Sequence, residues 1–398
     1  MERDEKDVLE IGIIGMGDMG KLYVRTFLKA GWRNINVCDL PHKYDALCRE
    51  FQDTSVRVFK DGHGVSRRSD YIIYSVEAEY IDDVVSKFGP STKVGAIVGG
   101  QTSVKEPEIK AFEAHLPKDV HIVSFHSLHG PGVNPKGQPL VMIKHRSSDA
   151  MFELAKRVLA CLESRFVYLS YKEHDRITAD TQAVTHAAFL SNKWHVYAGL
   201  AILNPSARIQ IHQYAKSVTD LFKLMIQEDK EVFTKRVKEA GEFVFGEKNA
   251  HHEPILLSDS ILDEFSLSIV PKTERVPNSH LSLLAMVDCW YQLGLNPYEH
   301  MVCQTPLFRL WMGITEYLFR SPQMLDEAIN AALYSKGIRA DDTEFMTAAR
   351  GWAECVDLGN FEGYRKRFET TAKFFSHRFE ESTELGNRMI STIVEKTS

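Results

Sequence analysis

The segment Ile11-Gly-Ile-Ile-Gly15-Met16-Gly17-Asp18-Met19-Gly20 restricts the fold of this chain more than any other. A short isoleucine-rich run reads as a buried strand. It breaks into glycines at G-x-G-x-x-G spacing, and residues 21–30 then follow a helical pattern. A strand that turns at once into a helix belongs to a β-α-β unit of a parallel sheet. Gly15 permits the tight turn, Gly17 lets the backbone approach a pyrophosphate, and Gly20 lets helix and strand pack closely. The first turn of the helix adds unpaired N–H groups that suit an anion. Residues 15–20 are therefore candidate dinucleotide contacts. The bland alternative is a glycine-rich turn without a ligand, and the strand-before, helix-after context argues against it.

Further strands are predicted at residues 35–39, 56–59, 71–76, 94–99, 120–125, 140–144 and 166–171, most of them separated by helical stretches. That alternation is the pattern of a doubly wound sheet. From residue 173 the β-branched runs give way to helical periodicity at 177–195, 206–241, 279–293, 308–319 and 322–332, and onward. Residues 267–278, with Pro271 and Pro277 among charges, read as an exposed loop. The expected fold is an α/β Rossmann-type doubly wound sheet over residues 1–172, followed by an all-α domain over 173–398 for substrate binding and dimerisation. The apolar residues Leu281, Leu283, Leu284, Met286, Val287 and Trp290 cover more of a helix than one packing layer needs. Either simple core or a homodimer interface accounts for them.

A chain of 398 residues has room for two such domains. The formal net charge of -6 and the lack of a polybasic run argue against a general nucleic-acid or anionic-membrane binder. No apolar run is long enough for a membrane span. The first residues are charged and acidic, unlike a secretory or mitochondrial signal. The six cysteines are scattered without C-x-x-C or metal-ligand spacing, so free thiols, no metal site and a cytoplasmic setting are expected.

In an open parallel sheet, ligands collect outside the carboxyl ends of the strands. Asp39 stands at such an end, about twenty residues past the last glycine, where an acid takes the adenosine ribose hydroxyls and favours NAD. His42 and Lys43 follow it and would suit a 2′-phosphate, so the cofactor signal is divided. Val76 closes the fourth strand. Gln101, Ser103 and Lys105 follow the fifth. The sixth runs through Phe125-His126 into Ser127-Leu-His129-Gly130. His126 is either a base near neutral pH or a histidine that merely ends a strand. Ser103 is either a helix N-cap alone or a cap that also meets substrate.

Three stretches together resemble prephenate dehydrogenases. Beside the glycine fingerprint, Ser103-Val-Lys105 and His126-Ser-Leu-His129-Gly130 are similar to the family's S-V-K and H-P-x-x-G segments. Glu173-His174-Asp175, Ala179-Asp-Thr-Gln182 with His186, and Thr305-Pro-Leu-Phe-Arg309 are similar to its E-H-D…A-x-x-Q…H helix and S-P-x-Y-R arginine. The wording is closest to the fungal branch, described as NADP-dependent. Ser127 departs from the family's usual proline, and the junction after Ser191 is shorter than expected for that branch.

The resemblance implies oxidative decarboxylation of prephenate to 4-hydroxyphenylpyruvate in tyrosine biosynthesis, with NADP, or alternatively NAD, as cofactor. It makes His126 the base, Ser103 a partner of the same oxygen, and Lys105 a charge near the ring. Arg309 would pair with a carboxylate, where the residues alone would read a surface charge. Gln182 and His186 are four apart on one helix face and either meet substrate or fill core. Substrate is expected between the two domains of a homodimer. An arogenate dehydrogenase and a catalytically silent dinucleotide sensor are the alternatives.

Overall fold

The computed structural model describes residues 5–183, 197–246, 277–299 and 305–376. The chain divides into two compact units, residues 1–175 and 176–398.

The first unit holds eight strands: β1 (Ile11–Ile14), β2 (Ile35–Cys38), β3 (Val56–Val58), β4 (Tyr71–Tyr74), β5 (Ile97–Gly100), β6 (His121–Ser127), β7 (Pro139–Arg146) and β8 (Arg165–Tyr168). They form one sheet in the order β3-β2-β1-β4-β5-β6-β7-β8. The six strands β1 to β6 pair in parallel and keep the Rossmann order, whereas β6 and β7 are antiparallel. Connection length explains the reversal. Residues 128–138 contain no helix, and a parallel return needs a crossover of about a dozen or more residues.

Between the strands lie α1 (Glu5–Val8), α2 (Asp18–Lys29), α3 (Tyr44–Glu50), α4 (Gly62–Arg68), α5 (Ile81–Phe88), α6 (Lys105–His115), α7 (Asp149–Leu159) and α8 (Tyr171–Thr178). β1 and β4 are buried along their whole length, as strands covered on both faces must be. Alternation along β6 sorts its side chains between the two faces. Phe125 packs at 5.7 Å between ring centroids on Tyr23 of α2, while Ser124 bonds Glu108 of α6.

The second unit is helical among the described residues: a π-turn at Ala179–Ala183, then α9 (Tyr197–Leu203), α10 (Pro205–Gln227), α11 (Lys230–Phe245), α12 (Leu281–Leu293), α13 (Pro306–Arg320), α14 (Pro322–Tyr334), α15 (Arg339–Asp357) and α16 (Phe361–Phe374). The single helical pattern read over 206–241 is two helices. Glu228 adopts a left-handed φ of 53°, and Asp229 caps the next helix by accepting the Val232 N–H. The broad apolar face of α12 is core within one chain, since Leu281, Leu283, Leu284, Met286, Val287 and Trp290 are all buried. Asp288 on the same helix is wholly buried and meets Arg236 of α11 through two hydrogen bonds of 2.8 and 2.7 Å. The predicted loop at 267–276 and the helix continuing past residue 183 lie outside the described residues. No helix among those described is long and apolar enough to cross a membrane.

Candidate active site

The glycine turn leaves β1 with Gly15 at φ +101°, a conformation that side chains rarely adopt. A Cβ on Gly20 would lie 2.2 Å from the Gly15 carbonyl oxygen, so helix and turn touch here. Gly17 differs. It is the N-cap of α2, no side chain caps the helix, and a Cβ there would meet nothing within 4 Å. The N-terminus of a twelve-residue helix thus opens toward solvent across exposed Gly17 and Asp18, with Met19 half-buried behind them. Val76 packs beside Gly15, and the Gln101 side-chain nitrogen is buried without a hydrogen-bond partner. An uncapped helix start, open space at Gly17 and an orphaned amide donor fit a dinucleotide phosphate.

Two expected cofactor contacts have other duties. Met16 is buried, and its N–H donates to the Asp39 carboxylate at 2.9 Å. That carboxylate also accepts the Leu40 N–H at 2.6 Å and the Lys43 ammonium at 3.1 Å. Asp39 therefore anchors the glycine turn and carries a cation beside it. The divided cofactor signal has a physical resolution, because Lys43 offsets the charge that would repel a 2′-phosphate.

At the end of β5, Lys105 is wholly buried. Its Nζ donates to the carbonyls of Gly100 (3.0 Å) and Phe125 (2.7 Å) and to both Glu108 oxygens (3.1 Å). Glu108 also accepts the Thr102 N–H, the Thr102 hydroxyl and the Ser124 hydroxyl. The expectation of a Lys105 charge beside the substrate ring is corrected. Every ammonium proton is engaged inside, where it ties the ends of β5 and β6 together. Ser103 does not cap α6, because Val104 holds the N-cap position and makes no side-chain bond. Asp175 caps the helix from seventy residues away, accepting the Lys105 and Glu106 N–H groups at 2.7 and 2.8 Å. Pro107, next in the helix, has no N–H to satisfy. The Ser103 hydroxyl is half-exposed, with no cap duty.

His126 lies on the opposite side of β6 from Phe125 and keeps 9 % of its surface exposed. Its Nδ1 is 2.8 Å from His174 Nε2, and His174 Nδ1 is 2.8 Å from Asp175 Oδ1. Burial holds both histidines well below their ordinary range, with the neighbouring imidazole and Lys105 lowering His126 further. A neutral His126 can accept a proton. Behind the strand, the Tyr23 hydroxyl bonds the Ser127 hydroxyl, so the serine that replaces the family's proline fastens α2 to β6. His174 and Asp175 stand in the Glu-His-Asp motif, but spacing alone assigns them no role. The signals that could have singled them out are an acid beside a histidine and their position just past the sheet.

In the second unit, Gln182 is buried in the π-turn, an irregularity frequent at functional sites, and Arg309 is half-buried on α13. His186 and the junction after Ser191 lie outside the described residues.

A sequence profile for a 6-phosphogluconate dehydrogenase C-terminal domain matches residues 180–395, and one described as "NADP oxidoreductase coenzyme F420-dependent" matches 10–98. Over 98 % of its length the chain is 52 % identical to the probable prephenate dehydrogenase (NADP+) of Schizosaccharomyces pombe, covering 99 % of that protein. It is 49 % identical to the prephenate dehydrogenase (NADP+) of Saccharomyces cerevisiae, over 98 % of this chain and 94 % of that one. These alignments run over 426 and 431 positions, so both relatives carry residues for which this chain has none. The crystal structure of prephenate dehydrogenase from Aquifex aeolicus is 18 % identical, covers 57 % of this chain and 96 % of its own, and superposes with a TM-score of 0.48.

Proposed function

The chain belongs to the prephenate dehydrogenase family, and from that premise we propose that it oxidises prephenate with NADP, releasing CO2 and 4-hydroxyphenylpyruvate for tyrosine biosynthesis. The observation that carries the reading is His126: a buried, neutral imidazole at the carboxyl edge of a sheet whose first turn suits a dinucleotide. NADP, when bound, supplies the hydride acceptor.

The chain's own residues do the rest. His126 Nε2 takes the hydrogen bond of the ring hydroxyl and holds its proton as positive charge develops on that oxygen. Such assistance is worth roughly 10²–10⁴-fold in rate. Ser103 donates to or accepts from the same oxygen and sets its direction. Arg309 pairs with a substrate carboxylate through its planar guanidinium, with Gln182 and His186 as polar neighbours. Lys43 meets the 2′-phosphate, and Gln101, Val76 and the glycine turn line the cofactor. The enzyme works in the cytoplasm as a homodimer joined through helical units. Its described cysteines are free thiols, in keeping with a reducing compartment.

The test is absorbance at 340 nm with purified protein, prephenate, and NADP or NAD in parallel, with CO2 measured. NADPH formation matched one-to-one by CO2 is the expected result. Turnover of arogenate but not prephenate would replace the substrate, and reduction of neither cofactor by folded protein would end the reading.

A further inference from the structure

His126, His174 and Asp175 form a directed chain of hydrogen bonds, and its direction follows from the acceptor at its end. Asp175 Oδ1 accepts the Lys105 N–H at 2.7 Å and Oδ2 accepts the Glu106 N–H at 2.8 Å, so the carboxylate is pinned as an acceptor at the start of α6. His174 Nδ1, 2.8 Å from Oδ1, must then carry a proton. A neutral imidazole has one N–H, which leaves His174 Nε2 as a bare lone pair. That lone pair faces His126 Nδ1 at 2.8 Å, so His126 carries its proton on Nδ1. Nε2 of His126 is left unprotonated, and no hydrogen bond engages it among the described residues.

We propose that His174 and Asp175 are positioning residues that lock His126 in the Nδ1–H tautomer, so that its Nε2 is always the base. A free imidazole gives no such guarantee, and a base in the wrong tautomer presents a proton where a lone pair is needed. The geometry also explains why Asp175 has two duties. The same carboxylate that orients His174 caps α6, whose first residue, Lys105, holds the Phe125 carbonyl beside His126. One acid thereby fixes both the ring orientation and the strand end that carries it. The inference deepens the proposed function and rests on His126 being the base.

The direct test needs no substrate. In full-length protein labelled with 15N-histidine, the His126 pair is identified as the resonances missing from H126N. The expected signature at neutral pH is a pyrrole-type Nδ1 and a pyridine-type Nε2. The reverse assignment would overturn the proposal. The second test is kinetic. H174F deletes the acceptor, and kcat should fall on the order of 10²–10⁴-fold with a smaller change in KM. H174Q keeps an acceptor oxygen toward His126 and a donor toward Asp175, and should recover most of that loss. Wild-type turnover in H174F, or H174Q no better than a folded H174F, would also overturn it. If prephenate and NADP give no reaction at all, the proposed function fails, while the tautomer measurement still judges the relay.

Discussion

Replacing Lys105 by methionine tests how the sheet edge beneath the site is held. Methionine keeps the apolar stem and removes only the ammonium. Four oxygens lose their donor: two carbonyls, Gly100 and Phe125, and both oxygens of the wholly buried Glu108 carboxylate. Three Glu108 donors remain, from Thr102 and Ser124, but no cation. Breaking a buried pair by removing one partner costs about 3–5 kcal/mol. At about 1.4 kcal/mol per tenfold, amides protected by that structure should exchange on the order of a hundred- to several-thousand-fold faster. Hydrogen exchange by mass spectrometry on the full chain reads this locally, in peptides from β5 and β6. K105M/E108Q removes both charges and should recover part of the loss, giving a coupling of about 2 kcal/mol or more in a double-mutant cycle. Exchange in K105M within about threefold of wild type, under 1 kcal/mol, would refute the reasoning.

Burial raises the Asp175 carboxyl to about 6 against the opposing Lys105 and Glu106 N–H groups, while both histidines stay neutral through that range. Protonating Asp175 removes the acceptor that orients His174, so kcat should fall as pH drops below about 6; a flat profile down to pH 4.5 would count against this. G17A should leave thermal stability nearly unchanged, because its Cβ meets nothing, yet weaken NADP binding by about tenfold or more in calorimetry. G20A should destabilise by about 1–3 kcal/mol, since its Cβ would press on the Gly15 carbonyl. S127A leaves the buried Tyr23 hydroxyl without its partner and should cost about 1–3 kcal/mol in urea unfolding, whereas Y23F/S127A should recover most of it.

Local pattern alone determined much of this protein. The isoleucine run, the glycine spacing and the alternation of strands and helices specify a dinucleotide-binding sheet, because each is a short-range consequence of burial and backbone freedom. His126 was legible for the same reason, as a histidine where a strand ends. Partnership was not. Lys105 and Ser103 look like neighbouring polar groups in sequence, yet one is sealed into the core by Glu108 and the other is left half-exposed. Asp39 looks like a ribose acid, yet it ties the Met16 amide. The Asp175 cap and the His174 contact join residues seventy and forty-eight positions apart. Such bonds have no period and no spacing for a sequence to display. They exist because a buried donor or acceptor must find a partner, and only the folded chain decides which group stands within reach.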